Sequence, residues 1–245
     1  MQSTTNMRRV HILVVEDEPF QQRMLRDVLK YLNFRGIMEA DEGAAAISLL
    51  EEEQFDLILS DIEMPGMNGL ELLRHIRIGK TQAPRDTSFI ILTSHSDTEV
   101  LGAAMALDVN GFIVKPFKTG VILDKITRAL NQKLILRSDT DYGSVVTDLT
   151  SLRRTRRSLE LNRNELSAAA VVGARLQGQI GIPLAELRVG MRVAKNLTAI
   201  DGTVILTAET TLTAAIVNLL SDLKELVAGG LVTVYDPSSV SKVQQ

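Results

Sequence analysis

Five short apolar runs alternate with five helical patterns over the first half of this chain, and this alternation restricts the fold more than any other feature. The apolar runs, which we interpret as β-strands, cover residues 10–15, 35–39, 57–60, 89–93 and 112–114. The helical patterns begin at Pro19 and then cover residues 42–52, 68–77, 97–107 and 118–136. Strands that alternate with helices form a parallel sheet covered on both faces. We therefore predict an α/β domain with a five-stranded, doubly wound parallel sheet.

Polar and charged side chains lie at the carboxyl ends of four of these strands. Glu16 and Asp17 follow the first strand, Asp61 the third and Lys115 the fifth, while Thr93 closes the fourth. The carboxyl ends of parallel strands meet at one edge of a sheet, and ligands bind there. We therefore expect these side chains to form one site.

Three carboxylates at one edge repel one another, and a hard divalent cation removes that conflict. Mg²⁺ prefers oxygen ligands in an octahedron and keeps several waters. The sequence therefore predicts a Mg²⁺ site formed by Glu16, Asp17, Asp61 and the backbone carbonyl of Glu63.

The remaining two groups suit a phosphoryl group. The ammonium of Lys115 and the hydroxyl of Thr93 are donors for phosphoryl oxygens. With the metal in place, Asp61 is predicted to act as a carboxylate nucleophile that accepts a phosphoryl group in line.

Residues 9–137 resemble the receiver domain of a two-component response regulator, which has the CheY-like, flavodoxin-like fold. The resemblance rests on spaced motifs in the family's order, namely VVED at residues 14–17, LSDIEMPGMNG at 59–69, ILTS at 91–94 and VKPF at 114–117. It implies a phosphorelay protein that receives its phosphoryl group from a sensor histidine kinase with Mg²⁺. The first acidic position holds Glu16, where aspartate is commoner in the family.

The resemblance also implies a role for each matching residue. Asp61 is the phosphoacceptor, and Asp17 is a direct metal ligand within the acidic pair. Lys115 binds the phosphoryl group and precedes a proline whose peptide bond is commonly cis. Thr93 and Phe112 are the switch residues, because the aromatic ring turns inward when the hydroxyl is drawn to the phosphoryl group.

The chain after residue 137 has a different composition. Residues 137–144 are polar and typical of a linker or a helix break. Leu152, Leu159 and Leu166 recur at heptad spacing in a stretch that has no proline, which predicts a long amphipathic helix within residues 138–179. This helix either pairs with a second copy to form a homodimer or packs its leucines on its own chain.

Residues 180–245 are predicted to form a small α+β domain that acts by protein contact. Asp201 and Gly202 mark a tight hairpin between strands at residues 191–197 and 203–206. Thr213 caps a helix over residues 214–226, and a last strand covers residues 231–235. This part resembles the accessory segment beside HD-type domains, including HD-GYP cyclic-di-GMP phosphodiesterases. The chain contains neither an adjacent His-Asp pair nor a Gly-Tyr-Pro run, so we expect no enzyme activity here. A partner cyclic-di-GMP phosphodiesterase is the target that the resemblance implies.

Two other functions are consistent with single features of the sequence. A haloacid-dehalogenase-like phosphatase also uses an aspartate nucleophile, but it needs a second aspartate at the position that Glu63 occupies. Arg153, Arg154, Arg156 and Arg157 form a basic cluster that either contacts DNA or covers a solvated helix face. The net charge of −3 gives no general reason to expect nucleic acid binding. With no cysteine and no apolar run long enough for a signal sequence or membrane span, we expect a cytoplasmic protein.

Overall fold

The computed structural model describes residues 7–94, 98–153, 179–198, 204–223 and 227–235. The chain divides into two compact units. The first comprises Met1–His95 and Ala103–Thr147, and the second comprises Ser96–Gly102 and Asp148–Gln245.

The first unit contains the predicted five-stranded parallel sheet. Its strands are β1 (His11–Val15), β2 (Gly36–Ala40), β3 (Leu57–Asp61), β4 (Ser88–Thr93) and β5 (Gly111–Val114). They lie in the order β2-β1-β3-β4-β5, and every neighbouring pair is parallel. The order changes direction beside β1, which is the type of position where open α/β sheets bind ligands.

Five helices connect and follow these strands, as the sequence predicts. They are α1 (Pro19–Tyr31), α2 (Gly43–Glu52), α3 (Gly69–Arg77), α4 (Thr98–Ala106) and α5 (Thr119–Asn131). Proline is the first residue of α1, and the carboxylate of Glu18 accepts from the amides of Phe20 and Gln21. This cap satisfies amides that have no partner within the helix.

The central strands are apolar along their whole length because helices cover both faces of the sheet. Residues 12–15, 57–59 and 89–92 are all buried. One core layer joins these strands to α1 and α5 through Leu25, Leu29, Ile122 and Ile126. This packing fixes the strand ends, which carry the polar side chains.

Two predictions for the end of the first unit are wrong. Helix α5 stops at Asn131 rather than near residue 136, and the stretch predicted as a linker or helix break contains α6 (Asp139–Gly143). Residues 137–147, here called the strap, are part of the first unit. Tyr142 of the strap is fully buried, and its hydroxyl donates to Asp108 Oδ2 at 2.7 Å. This polar stretch therefore makes specific tertiary contacts instead of serving as a linker.

Arg77, at the end of α3, joins several loops of the first unit. It is fully buried and makes five hydrogen bonds, with the carbonyls of Arg85, Thr87, Leu107 and Asp108 and with Asn110 Oδ1. Burial lowers the pKa of Arg77 to about 10, so its guanidinium remains charged at neutral pH. One cation therefore holds the chain before β4 and the turn after α4 against α3.

The described residues of the second unit form two small antiparallel sheets. Strands β6 (Gln179–Pro183) and β9 (Leu231–Tyr235) pair in one, and β7 (Leu197–Thr198) and β8 (Val204–Leu206) pair in the other. The pairing of β7 with β8 agrees with the predicted hairpin, but β7 begins at Leu197 instead of residue 191. Asp201 and Gly202 lie outside the described residues. Helix α7 (Ala214–Asp222) is shorter than predicted, and the hydroxyl of Thr213 caps it by accepting from Ile216 N at 3.2 Å. Strand β6 is an element that the sequence pattern did not reveal.

Most of the predicted long helix, including its leucines at 159 and 166, lies outside the described residues. The same holds for Arg154, Arg156 and Arg157 of the basic cluster. Within the described ranges, no helix has the length and apolar composition required to cross a lipid bilayer.

Replacing Arg77 by methionine should destabilise the protein by about 2–4 kcal/mol, because several buried carbonyls would lose their donor. Urea unfolding of the full chain, followed by circular dichroism, measures this loss. Arg23→Met, on the exposed face of α1, is the matched control and should change stability by less than about 0.5 kcal/mol. Equal unfolding midpoints for the two variants would contradict the role given to Arg77.

Candidate phosphoacceptor site

The register of the sheet brings the predicted site residues to one edge. Val15 pairs with Ser60, Asp61 with Leu92, and Thr93 with Val114. Strands β1, β3, β4 and β5 therefore end at nearly the same level. The side chains that follow them meet although they are far apart in sequence.

Lys115 is the centre of this edge. Its Nζ lies 2.8 Å from Glu16 Oε2 and 2.8 Å from Asp61 Oδ2. The exposed fractions of the three side chains are 11% for Lys115, 1% for Glu16 and 13% for Asp61. Charged hydrogen bonds that are this short and this poorly solvated are much stronger than surface ion pairs.

Asp17 completes an acidic cluster with Glu16 and Asp61. One oxygen from each carboxylate lies within 4.8 Å of the others. Among the described residues, Lys115 pairs with two of these three carboxylates, so the cluster has an excess of negative charge. The buried Glu16 Oε1 atom also lacks a hydrogen-bond partner among the described residues. An unpaired buried carboxylate oxygen and excess negative charge both fit a divalent cation that takes oxygen ligands.

Burial and charge shift the pKa values of two groups in this site. Burial raises the pKa of Glu16, and the nearby Asp61 adds to the rise, while Lys115 opposes it. Burial alone would lower the pKa of Lys115, but its hydrogen bonds with Asp61 and Glu16 outweigh this effect and raise the pKa overall. Lys115 therefore remains a cation at neutral pH.

The side chain of Asp61 is held from two directions. Its Oδ1 accepts from the backbone amide of Ile62 at 2.7 Å, and its Oδ2 accepts from Lys115. Its own backbone carbonyl accepts from the hydroxyl of Ser60 at 2.8 Å. This carboxylate is therefore oriented at the sheet edge rather than free to rotate.

The other predicted residues lie on β4, on β5 and in the loop after β3. Thr93 ends β4 and is buried, and Phe112 is fully buried in β5. The side chain of Glu63 is exposed, and metal binding by its backbone carbonyl stays a prediction. The peptide bond between Lys115 and Pro116 is cis, as the resemblance implied.

Two positioning residues escaped the sequence analysis. The side-chain amide of Gln22 donates to the carbonyls of Glu16 at 3.2 Å and Ala40 at 3.0 Å, which ties the acidic loop to the end of β2. Asn68 forms a capping box with Glu71 at the start of α3. The Asn-x-x-Glu spacing before an apolar run is a signal that could have revealed this cap, whereas no local pattern marks Gln22.

The sheet order and the acid-lysine cluster together define a receiver-type α/β domain. Residues 12–127 match the family described as response regulator receiver domain. The chemotaxis protein CheY-3 of Vibrio cholerae serotype O1 is 31% identical over 121 residues, which cover 49% of this chain and 92% of that protein. CheY of Pseudomonas aeruginosa is 32% identical over 117 residues, which cover 48% and 93%. This chain belongs to the response regulator receiver domain family.

One similar solved structure is the receiver domain of sensor histidine kinase PA1611 from Pseudomonas aeruginosa PAO1, described with a magnesium ion coordinated in the active site cleft. It is 26% identical, covers 50% of this chain and 98% of that chain, and has a TM-score of 0.46. The family match ends at residue 127, so it does not cover Asp148–Gln245, the larger part of the second unit.

The raised pKa of Glu16 predicts how stability depends on pH in metal-free buffer. The folded chain binds this proton more tightly than the unfolded chain, so stability contributed by protonated Glu16 is lost as pH rises from about 4.5 through the raised value. Glu16→Gln should make the slope of unfolding free energy against pH less negative over this window. Denaturant unfolding with a metal chelator measures it, and Glu52→Gln, on an exposed part of α2, should keep the wild-type slope. Identical slopes for all three proteins would contradict the prediction.

Proposed function

We propose that this chain is a cytoplasmic response regulator in which Asp61 accepts a phosphoryl group from a sensor histidine kinase. The observation that carries the proposal is the ammonium of Lys115, placed 2.8 Å from both Glu16 and Asp61 in a largely buried acidic cluster. Membership of the receiver family supports the kinase as the phosphoryl donor, because receiver domains interact with sensor histidine kinases.

In the proposed reaction, an oxygen of Asp61 forms a bond to phosphorus while the bond between phosphorus and the kinase histidine breaks. The imidazole leaves with the bonding electron pair, and an aspartyl phosphate remains. Lys115 already contacts the attacking carboxylate and is placed to bind the oxygens of the transferred group. The hydroxyl of Thr93, at the end of β4, is the second proposed donor.

Glu16, Asp17 and Asp61 are the proposed side-chain ligands of Mg²⁺, and the carbonyl of Glu63 is the proposed backbone ligand. When bound, the metal supplies positive charge that offsets the repulsion between these carboxylates and the incoming phosphoryl oxygens. The unpaired Glu16 Oε1 supports this assignment.

The proposed switch consists of Thr93 and Phe112. They lie on neighbouring strands that are in direct register, with Ile91 opposite Phe112 and Thr93 opposite Val114. Movement of the hydroxyl towards a phosphoryl group changes the space beside the aromatic ring. Through this movement, phosphorylation of Asp61 is proposed to change the surface of the domain.

The second unit is proposed to act by protein contact, without catalysis of its own. The support is its likeness in sequence to the accessory segment of HD-type regulators, together with the absence from the sequence of His-Asp and Gly-Tyr-Pro motifs. A cyclic-di-GMP phosphodiesterase is the proposed partner. Dimerisation through the heptad leucines, beginning at Leu152, remains part of this proposal.

Acetyl phosphate and Mg²⁺ should place one phosphoryl group on the wild-type chain, and Asp61→Asn should abolish the labelling because its amide is not a nucleophile. Radiolabel retention on the intact protein measures the reaction, and chelation of Mg²⁺ should reduce it strongly. Asp27→Asn, an exposed change on α1, should label like the wild type. Labelling that persists in Asp61→Asn would overturn the proposal, and continuous turnover of a phosphate ester by the wild type would favour a phosphatase instead.

Capture of proteins from cell extract tests the proposed output. Phosphorylated wild-type protein and Asp61→Asn should retain a cyclic-di-GMP phosphodiesterase in different amounts, because only the first can enter the phosphorylated state. Quantitative mass spectrometry of the retained proteins measures this. The same partners in equal amounts would remove phosphorylation control of the output.

A further inference from the structure

The strap, residues 137–147, continues beyond the part of the chain that matches the receiver family, which ends at residue 127. Its last residue, Thr147, is buried, and its carbonyl accepts from the side-chain amide of Asn68 at 3.0 Å. The carbonyl of Val145 accepts from Arg74 Nη1 at 3.2 Å. The end of the strap is thus attached to the first turns of α3.

Both the oxygen and the nitrogen of the Asn68 side-chain amide form hydrogen bonds. Its Oδ1 caps α3 by accepting from the amides of Leu70 at 2.9 Å and Glu71 at 3.0 Å. Because only oxygen can accept from these two amides, the nitrogen must face Thr147. The residue is 7% exposed, so water replaces neither contact easily.

Asn68 is also tied to the phosphoacceptor. The next residue, Gly69, donates its amide to the carbonyl of Ile62 at 3.0 Å. A Cβ atom on Gly69 would lie 2.2 Å from the backbone oxygen of Asp61, so the start of α3 contacts the end of β3 directly. Ile62 in turn donates its amide to the Asp61 carboxylate. A displacement of Asn68 therefore displaces the backbone that orients Asp61.

The beginning of the strap is attached elsewhere, through the buried Tyr142. Its hydroxyl donates to Asp108 Oδ2 and accepts from the backbone amide of Arg137 at 3.1 Å. The guanidinium of Arg137 lies 5.0 Å from the Tyr142 ring centre, and Arg85 forms an ion pair with Asp139 at 2.7 Å. The strap is therefore held at both ends, with only the Thr147 end next to the phosphoacceptor loop.

We propose that Asn68 is a positioning residue that couples the reaction at Asp61 to the docking of the strap. The inference rests on the proposed phosphorylation of Asp61 and adds to it a second route out of the site, through α3 rather than through Thr93 and Phe112. The chain passes from Thr147 into the second unit at Asp148. The strap is thus the segment that transmits the phosphorylation state of Asp61 to the chain after Thr147.

Thermodynamic linkage makes this coupling reciprocal, and its proposed sense follows from the arrangement that binds the phosphoryl group. A docked strap holds Asn68, and with it the Asp61 loop, in the arrangement that presents the carboxylate. Binding of a phosphoryl group to that arrangement must therefore favour the docked strap by the same factor. One hydrogen bond corresponds to a change of about two- to tenfold in such an equilibrium.

Hydrogen exchange on the full chain tests the proposal, with Mg²⁺ and beryllium fluoride as a stable substitute for the phosphoryl group. Backbone amides of the strap should exchange at least about twofold more slowly in the wild type when the probe is added, the lower limit for one hydrogen bond. Unchanged or faster exchange in the strap of a protein that binds the probe overturns the inference. Failure of the wild type to bind the probe and to accept phosphate at Asp61 overturns the proposed function itself.

Two variants separate coupling from simple stability. Asn68→Ser retains an oxygen that can cap α3 but is too short to reach Thr147. Tyr142→Phe loosens the other end of the strap and leaves the cap and the acidic cluster intact. Both should slow phosphorylation by acetyl phosphate about two- to tenfold and speed exchange in the strap.

Tyr31→Phe makes the same chemical change as Tyr142→Phe at a residue that is 83% exposed on α1, and it should leave both measurements at wild-type values. Should Asn68→Ser fail to fold, Tyr142→Phe alone decides the outcome. Faster strap exchange in Tyr142→Phe with a wild-type phosphorylation rate shows that the strap is only structural and overturns the inference.

Discussion

The contact of Lys115 with Glu16 and Asp61 is the interaction on which the rest of the receiver unit depends. It joins residues that are 99 and 54 positions apart in sequence, and it does so where only part of their hydration remains. Burying charges costs free energy that a single ammonium does not fully recover when three carboxylates are present. The packing of the sheet and its helices supplies the stability that holds these carboxylates close together despite their electrostatic repulsion.

That repulsion is the physical basis of the binding and signalling proposed for these residues. A bound cation would relieve it, and a phosphoryl group would reverse part of that relief, so each proposed ligand would change the balance of charges around Lys115. Gln22 and Ser60 hold the backbone of the cluster by hydrogen bonds between neutral groups, which these charge changes affect less. Electrostatic change is thereby concentrated in a few side chains instead of spreading through the domain.

Predictions from the sequence were correct where a local residue pattern directly reflects the structure, as it does for the strands of the sheet. The apolar runs predict the strands within one or two residues, and their common direction predicts that Asp61 and Lys115 lie together, as they do. The predictions failed where tertiary contacts decide the structure. Helix α5 ends at Asn131 although the apolar pattern continues, and the short α6 forms in a polar stretch where the buried Tyr142 donates its hydroxyl to Asp108. Partners that are so distant in sequence leave no periodic signal.

The strap also determines where this receiver unit could be separated and joined to another protein. A splice directly after α5 would remove the buried Tyr142 from its contact with Asp108, and Thr147 from its contact with Asn68 at the cap of α3. A chimaera joined after Thr147 would carry these groups along. The transferable module of this chain is therefore longer than its five strands and five helices suggest.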